Sequence, residues 1–244
     1  MFLKILGSSS SGNGYILYND EEALIIECGF PLVECLKALS FNLSKIKGVF
    51  ITHEHGDHSK FIHEYINACL PVYTSKGTMD GVKDKGRYAV NIVGSKSVVR
   101  CGGFKVLSFD TQHDSNEPLG FLISHKDCGN ILFATDTYYI KYRFPDLNHI
   151  LLECNYDIPI LSKNVDAGEV PPFVMKRIMK SHMSLETCIK TLEDNDISKV
   201  DNIVLLHLSG NNSEREYFHD EVVKSTGKMV YVAERNLLIN LNMF

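Results

Sequence analysis

The 244-residue chain predicts an α/β protein of two mixed halves, in which sheets pack together and helices lie outside. Three observations carry that prediction. Twelve short β-rich runs punctuate the sequence, five helical patterns lie between them, and no linker, repeat or low-complexity tract divides the chain. The first half is strand-heavy with two helices, and the second is strands followed by three helices. With 44% hydrophobic and 23% charged residues the composition is that of a globular protein, and folding at this length buries roughly 70–75% of the unfolded surface. A single domain over residues 1–244 is expected.

Along the chain, Phe2–Leu6, Tyr15–Tyr18 and Ala23–Glu27 read as the first strands, with the Ser8–Ser11 run as a turn. Pro31–Leu39 reads as a helix, and Pro31 suits its first turn. Strand Gly48–Thr52, helix Lys60–Ala68 and strand Val72–Thr74 follow. Then come four strands, Ser97–Cys101, Phe104–Phe109, Gly120–Ser124 and Ile131–Ala134, and a fifth at His149–Glu153. Helix Pro172–Lys180 opens on a first-turn proline, and helix Ser184–Asp194 on a plausible N-cap serine. Strand Ile203–Leu206, helix Ser213–Ser225 and strand Met229–Val232 close the order.

Charge and cysteine content exclude some classes. Twenty-five Lys and Arg against 30 Asp and Glu leave a net charge of −5, which rules out a broadly basic coat for nucleic acid while allowing a local basic groove. Seven scattered cysteines with no C-x-x-C read as reduced, mostly buried thiols, not a disulfide framework. The first residues lack the apolar core and cleavage site of a secretory signal, and no apolar stretch approaches the ~20 residues needed to span a bilayer. These features lead us to expect a cytoplasmic protein (in a host cytoplasm if the source is a virus) with no membrane partner.

One stretch dominates the chemistry. Gly48-Val49-Phe50-Ile51-Thr52 runs straight into His53-Glu54-His55-Gly56-Asp57-His58. Residues i and i+2 of an extended chain face the same way, so His53 and His55 can grip one metal together. Gly56 is expected to let the chain turn sharply, so that Asp57 and His58 face a second position a few ångströms away. This mix of nitrogen and carboxylate donors suits zinc, with manganese or iron as alternatives. A lone histidine is usually an ordinary surface residue. Three histidines and an aspartate within six positions at a strand end are another matter, because burying them without a partner is costly.

H-x-H-x-D-H after a hydrophobic strand resembles the metallo-β-lactamase superfamily, and the resemblance covers essentially the whole chain. It implies an αββα four-layer sandwich of two mixed sheets flanked by helices, and two divalent metal ions. It also implies three further ligands at strand ends. His113 fits as the third ligand of the first metal, Asp136 as the carboxylate bridging both, and His207 as the last ligand of the second. His182, just ahead of a helix, is similar to the histidine that RNase Z-like relatives place beside the scissile phosphate. That likeness implies a catalytic role as proton donor or charge stabiliser. Asp57 would hold a metal and accept the proton of the attacking water. Glu54 should point away from its neighbouring histidines, and His63, His125, His149 and His219 fit no family position.

The superfamily hosts several hydrolyses, so the fold alone does not select one. The segment His113-Asp114-Ser115-Asn116-Glu117-Pro118-Leu119-Gly120-Phe121 resembles the H-D-x-x-x-P-x-G-F element of RNase Z-like and YycJ-type proteins. Gly7–Asn13 is similar to the YycJ-type opening, and His207–Asn212 to its H-L-S-x-x-N-N element. That branch implies phosphodiester hydrolysis. With net acidic charge and six arginines, a small or cyclic nucleotide is the expected substrate, as in degradation of cyclic nucleotide signals by phage anti-Pycsar proteins. A 5′-directed DNA exonuclease acting on nucleic-acid ends is the alternative. A small-molecule ester or thioester hydrolase on the same metal pair is a further one, and a scaffold on a dead fold would require a missing ligand. The relatives are commonly dimers, which implies a homodimer here.

Overall fold

A hairpin opens the chain: β1 (Phe2–Ser9) and β2 (Gly12–Tyr18) pair antiparallel, so Ser8 and Ser9 of the serine run are strand and only Ser10 and Ser11 turn. In this computed structural model residues 1–83, 86 and 90–243 are described. The chain divides into two compact units. The first comprises Met1–Asp110, Ser115–Gly129 and the stretch from Ala233, and the second Thr111–Asp114 and Asn130–Val232. The fold class is the expected one, α/β with two mixed sheets flanked by helices.

In the first unit, β2 pairs antiparallel with β3 (Ala23–Ile26), and then the direction changes. Strands β4 (Ile46–Phe50), β5 (Val72–Thr74) and β6 (Asn91–Ile92) run parallel to β3. Helix α1 (Leu32–Ala38) makes the first crossover, with Pro31 at its N-cap, one position before the expected first turn. Between β4 and β5 lie α2 (Gly56–Ser59) and α3 (Ile62–Asn67), and α4 (Lys76–Gly81) follows β5. The core of this unit buries Ile16, Ile25, Val49, Ile51 and Tyr65, none of them exposed. At about 25 cal/mol per Å² of apolar surface, such fully buried side chains are the dominant favourable term in folding. Strands β7 (Val98–Cys101), β8 (Phe104–Asp110) and β9 (Leu119–His125) form an antiparallel meander in the same unit. Strand β14 (Leu238–Asn240) returns to pair with β1.

The second unit carries four parallel strands: β10 (Gly129–Ala134), β11 (Leu147–Glu153), β12 (Asn202–Leu206) and β13 (Met229–Val232). Ile131–Ala134, Ile150–Leu152 and Ile203–Leu206 are continuous buried apolar runs, which is the pattern of strands covered on both faces. Helices α5 (Ile158–Asp166), α6 (Pro172–Ser181) and α7 (Leu185–Glu193) lie between β11 and β12, and α8 (Arg215–Thr226) precedes β13. Pro172 begins α6, and the Ser184 hydroxyl accepts the Thr187 N–H at 3.1 Å as the N-cap of α7. Parallel strands place their C-terminal ends along one edge, where sites of α/β sheets form. Ala134 stands opposite Leu152, and Glu153 opposite Leu206, so the residues ending these strands share that edge.

All seven cysteines are unpaired thiols, six of them buried and Cys69 exposed. Among the described residues, no helix is long and apolar enough to cross a membrane.

Candidate metal centre

In the first unit the donors stand just past β4. His53 is buried at 1% exposure, and its Nε2 lies 3.1 Å from Nδ1 of His55. A network behind His53 decides which nitrogen carries its proton. The Glu27 carboxylate can only accept, so the Thr52 hydroxyl donates to it at 2.6 Å. The same Thr52 oxygen, 2.8 Å from Nδ1 of His53, then accepts from that nitrogen and leaves the Nε2 lone pair facing His55. Two nitrogens bound at 2.0–2.1 Å to a tetrahedral ion would stand about 3.3 Å apart. The pair therefore fits a shared cation, as the i, i+2 spacing predicts.

Gly56 does not play the role expected of it. A Cβ there would meet no atom within 4 Å, and the turn is made by the single turn of α2, with His55 as its N-cap. That turn brings Asp57 and His58 together, Oδ2 to Nε2 at 3.2 Å. Asn13 donates to the same Asp57 oxygen at 3.2 Å and to the Ser9 carbonyl at 3.1 Å. Glu27 also faces His58, with its Oε1 3.3 Å from Nδ1, so the carboxylate's charge favours the proton on that nitrogen. Glu27 is 1% exposed and has φ +69°.

In the second unit Asp136 stands two residues past β10 and His207 directly past β12, and both sit in the left-handed region, at φ +47° and +53°. Such a backbone is uncommon for residues other than glycine and is held in place by its surroundings. Asn155 supplies one hold, donating to the His207 carbonyl at 2.6 Å. One oxygen of Asp136 lies 3.4 Å from Nδ1 of His207, and the other lies 3.6 Å from Nε2 of His113. A carboxylate presenting each oxygen to a different imidazole has an oxygen to offer on either side. His113 donates from Nδ1 to the Ser181 carbonyl at 2.6 Å, which leaves Nε2 as the donor atom toward Asp136. Burial holds its pKa below the ordinary imidazole value, against the pull of Asp136, which favours the neutral form a metal requires.

His182 caps the C-terminus of α6, and its ring lies 5.2 Å from that of His113 and 5.5 Å from that of His207. Its side chain is 20% exposed against 6% for His207. Sequence reasoning missed its partner. Glu153, the last residue of β11 and wholly buried, accepts from His182 Nδ1 at 2.6 Å. Its other oxygen takes the Thr137 N–H at 2.6 Å and the Met183 N–H at 3.3 Å. Burial alone would raise the Glu153 pKa, but the attraction and hydrogen bond of His182, with the hydrogen bond of His207, outweigh it and hold it below the usual carboxylate value. For His182, burial opposes the charge while Glu153 outweighs it and moves the pKa upward. Donor atoms of Asp136, Glu153, His182 and His207 all lie within 4.8 Å of one another.

Of the seven expected ligands, His53, His55, Asp57 and His58 belong to the first unit, and His113, Asp136 and His207 to the second. Three of the other histidines have structural partners: His125 contacts Glu22 at 3.1 Å, His149 contacts Asn202 at 3.1 Å, and His219 contacts Asp220 at 2.8 Å. Glu54 accepts the Asn116 N–H at 2.8 Å.

Residues 24–208 match the family described as the beta-lactamase superfamily domain. Exodeoxyribonuclease YycJ of Bacillus anthracis is 27% identical over 230 residues, covering 88% of this chain and 85% of that protein. Among solved structures, the metallo-beta-lactamase fold protein YhfI of Bacillus subtilis superimposes with a TM-score of 0.70 at 13% identity, over 98% of this chain and 99% of that one. The short form of human tRNase Z does so with a TM-score of 0.66 at 15% identity, over the full length of both. At these identities the two structures speak for the fold alone.

Proposed function

The chain belongs to the beta-lactamase superfamily, a metal-dependent hydrolase by that kinship, and from this premise we propose that it is a two-metal phosphodiesterase acting on nucleic-acid ends. The observation that carries the reading is Asp136, whose two oxygens stand 3.4 and 3.6 Å from two different histidines. In the proposed centre His53, His55 and His113 would hold one ion and Asp57, His58 and His207 the other, with Asp136 shared between them. Two divalent ions, when bound, would bring a water's pKa towards ~7 and offset charge on a phosphoryl oxygen. Zinc suits the donor set best.

The chain's own groups do the rest. Asp57 would accept the proton of the attacking water, and the carboxylates and imidazoles around it fix where the water stands. His182, more open than His207 and held through Nδ1 by Glu153, presents Nε2 to the leaving oxygen and donates its proton there. The exodeoxyribonuclease relative supports a nucleic-acid strand as substrate. A small cyclic nucleotide is the second reading, favoured by the net charge of −5 and the six arginines.

The deciding experiment offers metal-loaded protein 5′-phosphorylated DNA, 3′,5′-cyclic mononucleotides and bis-p-nitrophenyl phosphate, with Asp136→Ala as control. Hydrolysis of DNA and the aryl diester, lost together with bound metal in the variant, supports the reading. Turnover of cyclic nucleotides alone selects the second reading, and cleavage of carboxylic esters alone removes both.

A further inference from the structure

The second unit holds a groove of about 620 Å³ that the chemistry above does not use. One wall is the segment 139–143, and the other is α7 with Asp194 and Asn195. The walls are tied together, since Asn195 accepts the Phe144 N–H at 2.8 Å and donates to the Thr191 carbonyl at 2.8 Å. The groove is thus formed without a ligand, within the size range of ligand sites.

Its lining alternates rings and cations. Tyr139 is 49% exposed, and Lys141 Nζ stands 5.2 Å from the centre of the Tyr142 ring. Arg143 and Lys190 add two more cations, against the single carboxylate of Asp194, which lies 3.3 Å from Arg143. On a chain of net charge −5, three cations against one anion in one groove is a local reversal of sign.

Two short links join the groove's walls to the candidate centre. The Thr137 N–H donates to Glu153 while its hydroxyl donates to the Tyr139 carbonyl at 2.8 Å. On the other wall, the N-cap of α7, Ser184, is two residues past His182. A groove with interleaved aromatic and basic side chains, joined by these links to the candidate centre, has the make-up of a track for a single strand. Rings take successive bases by stacking, and cations follow the phosphates. A cyclic mononucleotide would have no use for it.

Resting on the phosphodiesterase reading, we propose that this groove binds single-stranded nucleic acid beside the cleaved phosphodiester. Tyr139 and Tyr142 stack on bases, and Lys141, Arg143 and Lys190 meet the backbone. The test measures binding of fluorescein-labelled oligothymidylate, about 20 nucleotides long so as to exceed one groove's span, by fluorescence anisotropy. Tyr142→Ala and Lys190→Glu should each weaken binding roughly tenfold, and Tyr142→Phe should bind as the parent does, because a ring still stacks. Hydrolysis of bis-p-nitrophenyl phosphate, which is too small to fill the groove, should stay within about twofold in all three. Unchanged oligonucleotide affinity in Tyr142→Ala and Lys190→Glu overturns the groove, and so does an equal loss on the small diester. A parent protein that hydrolyses neither substrate would instead defeat the phosphodiesterase reading, and the anisotropy series would still decide the groove.

Discussion

Glu153 Oε1 accepts a hydrogen bond of 2.6 Å from Nδ1 of His182, joining a wholly buried carboxylate to the more open of two adjacent histidines. The carboxylate also takes the Thr137 and Met183 N–H groups, and Nδ1 of His207 stands 3.6 Å from the same Oε1. Glutamine in its place keeps the shape but turns an N–H₂ toward one of those donors. Glu153→Gln should therefore lower kcat on bis-p-nitrophenyl phosphate by roughly 10²-fold, in the range for a positioned acid or base. His182→Ala should cost at least as much, and the double variant should be no slower than His182→Ala alone, because Glu153 acts through His182. Additive losses in steady-state kinetics would show that Glu153 has a separate task.

Glu27 works at one remove in the other unit. Through Thr52 it sets the tautomer of His53, and directly it faces His58 at 3.3 Å. A carboxylate behind a ligating imidazole typically accounts for 10–100-fold in metal affinity. Glu27→Gln is expected to weaken zinc binding by about that factor in a chelator competition, with far-UV circular dichroism unchanged. Equal affinity in parent and variant would show that the tautomer of His53 and His58 does not depend on Glu27.

These two carboxylates also mark the limit of what could be read from the sequence. His53, His55, Asp57 and His58 are contiguous, so spacing alone betrays them, and His113, Asp136 and His207 stand at strand ends that the resemblance fills in order. Glu27 and Glu153 carry no motif. Each ends an apolar run that reads as an ordinary strand, and the partner of Glu153 lies 29 residues further on. The available signal was physical: a carboxylate closing a buried strand is costly unless something holds it. Long-range pairing hid other parts. Strand β14 exists because Leu238–Asn240 meets β1 at the far end of the chain, and β6 is only two residues long. Helix α2 is a single turn inside the ligand motif, too short to show a helical period.

Gly29 gives a steric test of how the first unit positions Asp57. A Cβ at Gly29 would stand 2.0 Å from the Asp57 carbonyl oxygen and 2.5 Å from the Asn13 nitrogen, both backbone atoms that cannot swing aside. Gly29→Ala must then push apart the hairpin and the α2 turn, displacing Asp57 and Asn13 together. We expect a stability loss of about 1–3 kcal/mol, the usual cost of overpacking, read from urea denaturation. Metal uptake should fall at the same time, measured by elemental analysis of refolded protein. A variant as stable and as metal-rich as the parent would mean that the two backbones separate freely.

The last expectation concerns acid. Glu22 is 8% exposed and accepts the Gly103 N–H at 2.7 Å, with Nε2 of His125 at 3.1 Å. Burial raises its pKa, but the Gly103 and His125 hydrogen bonds, with the charge of Lys47 adding to them, outweigh burial and leave it below the ordinary 4.5. A carboxyl whose folded pKa is depressed contributes stability above its unfolded pKa, and that contribution is lost as pH falls through the folded value. The parent should therefore lose melting temperature steeply on passing below about pH 4.5. Glu22→Gln removes the charge at every pH. Its melting temperature should lie below that of the parent near neutrality, by a deficit of about 1–3 kcal/mol, or roughly 2–12 °C for a chain of this size. Because the glutamine has no proton to gain, the two melting curves should converge towards acid. A gap between parent and variant that stays constant from neutral to acid pH, followed by differential scanning calorimetry, would show that the charge of Glu22 is not what ties the β2–β3 turn to the Gly102–Gly103 turn.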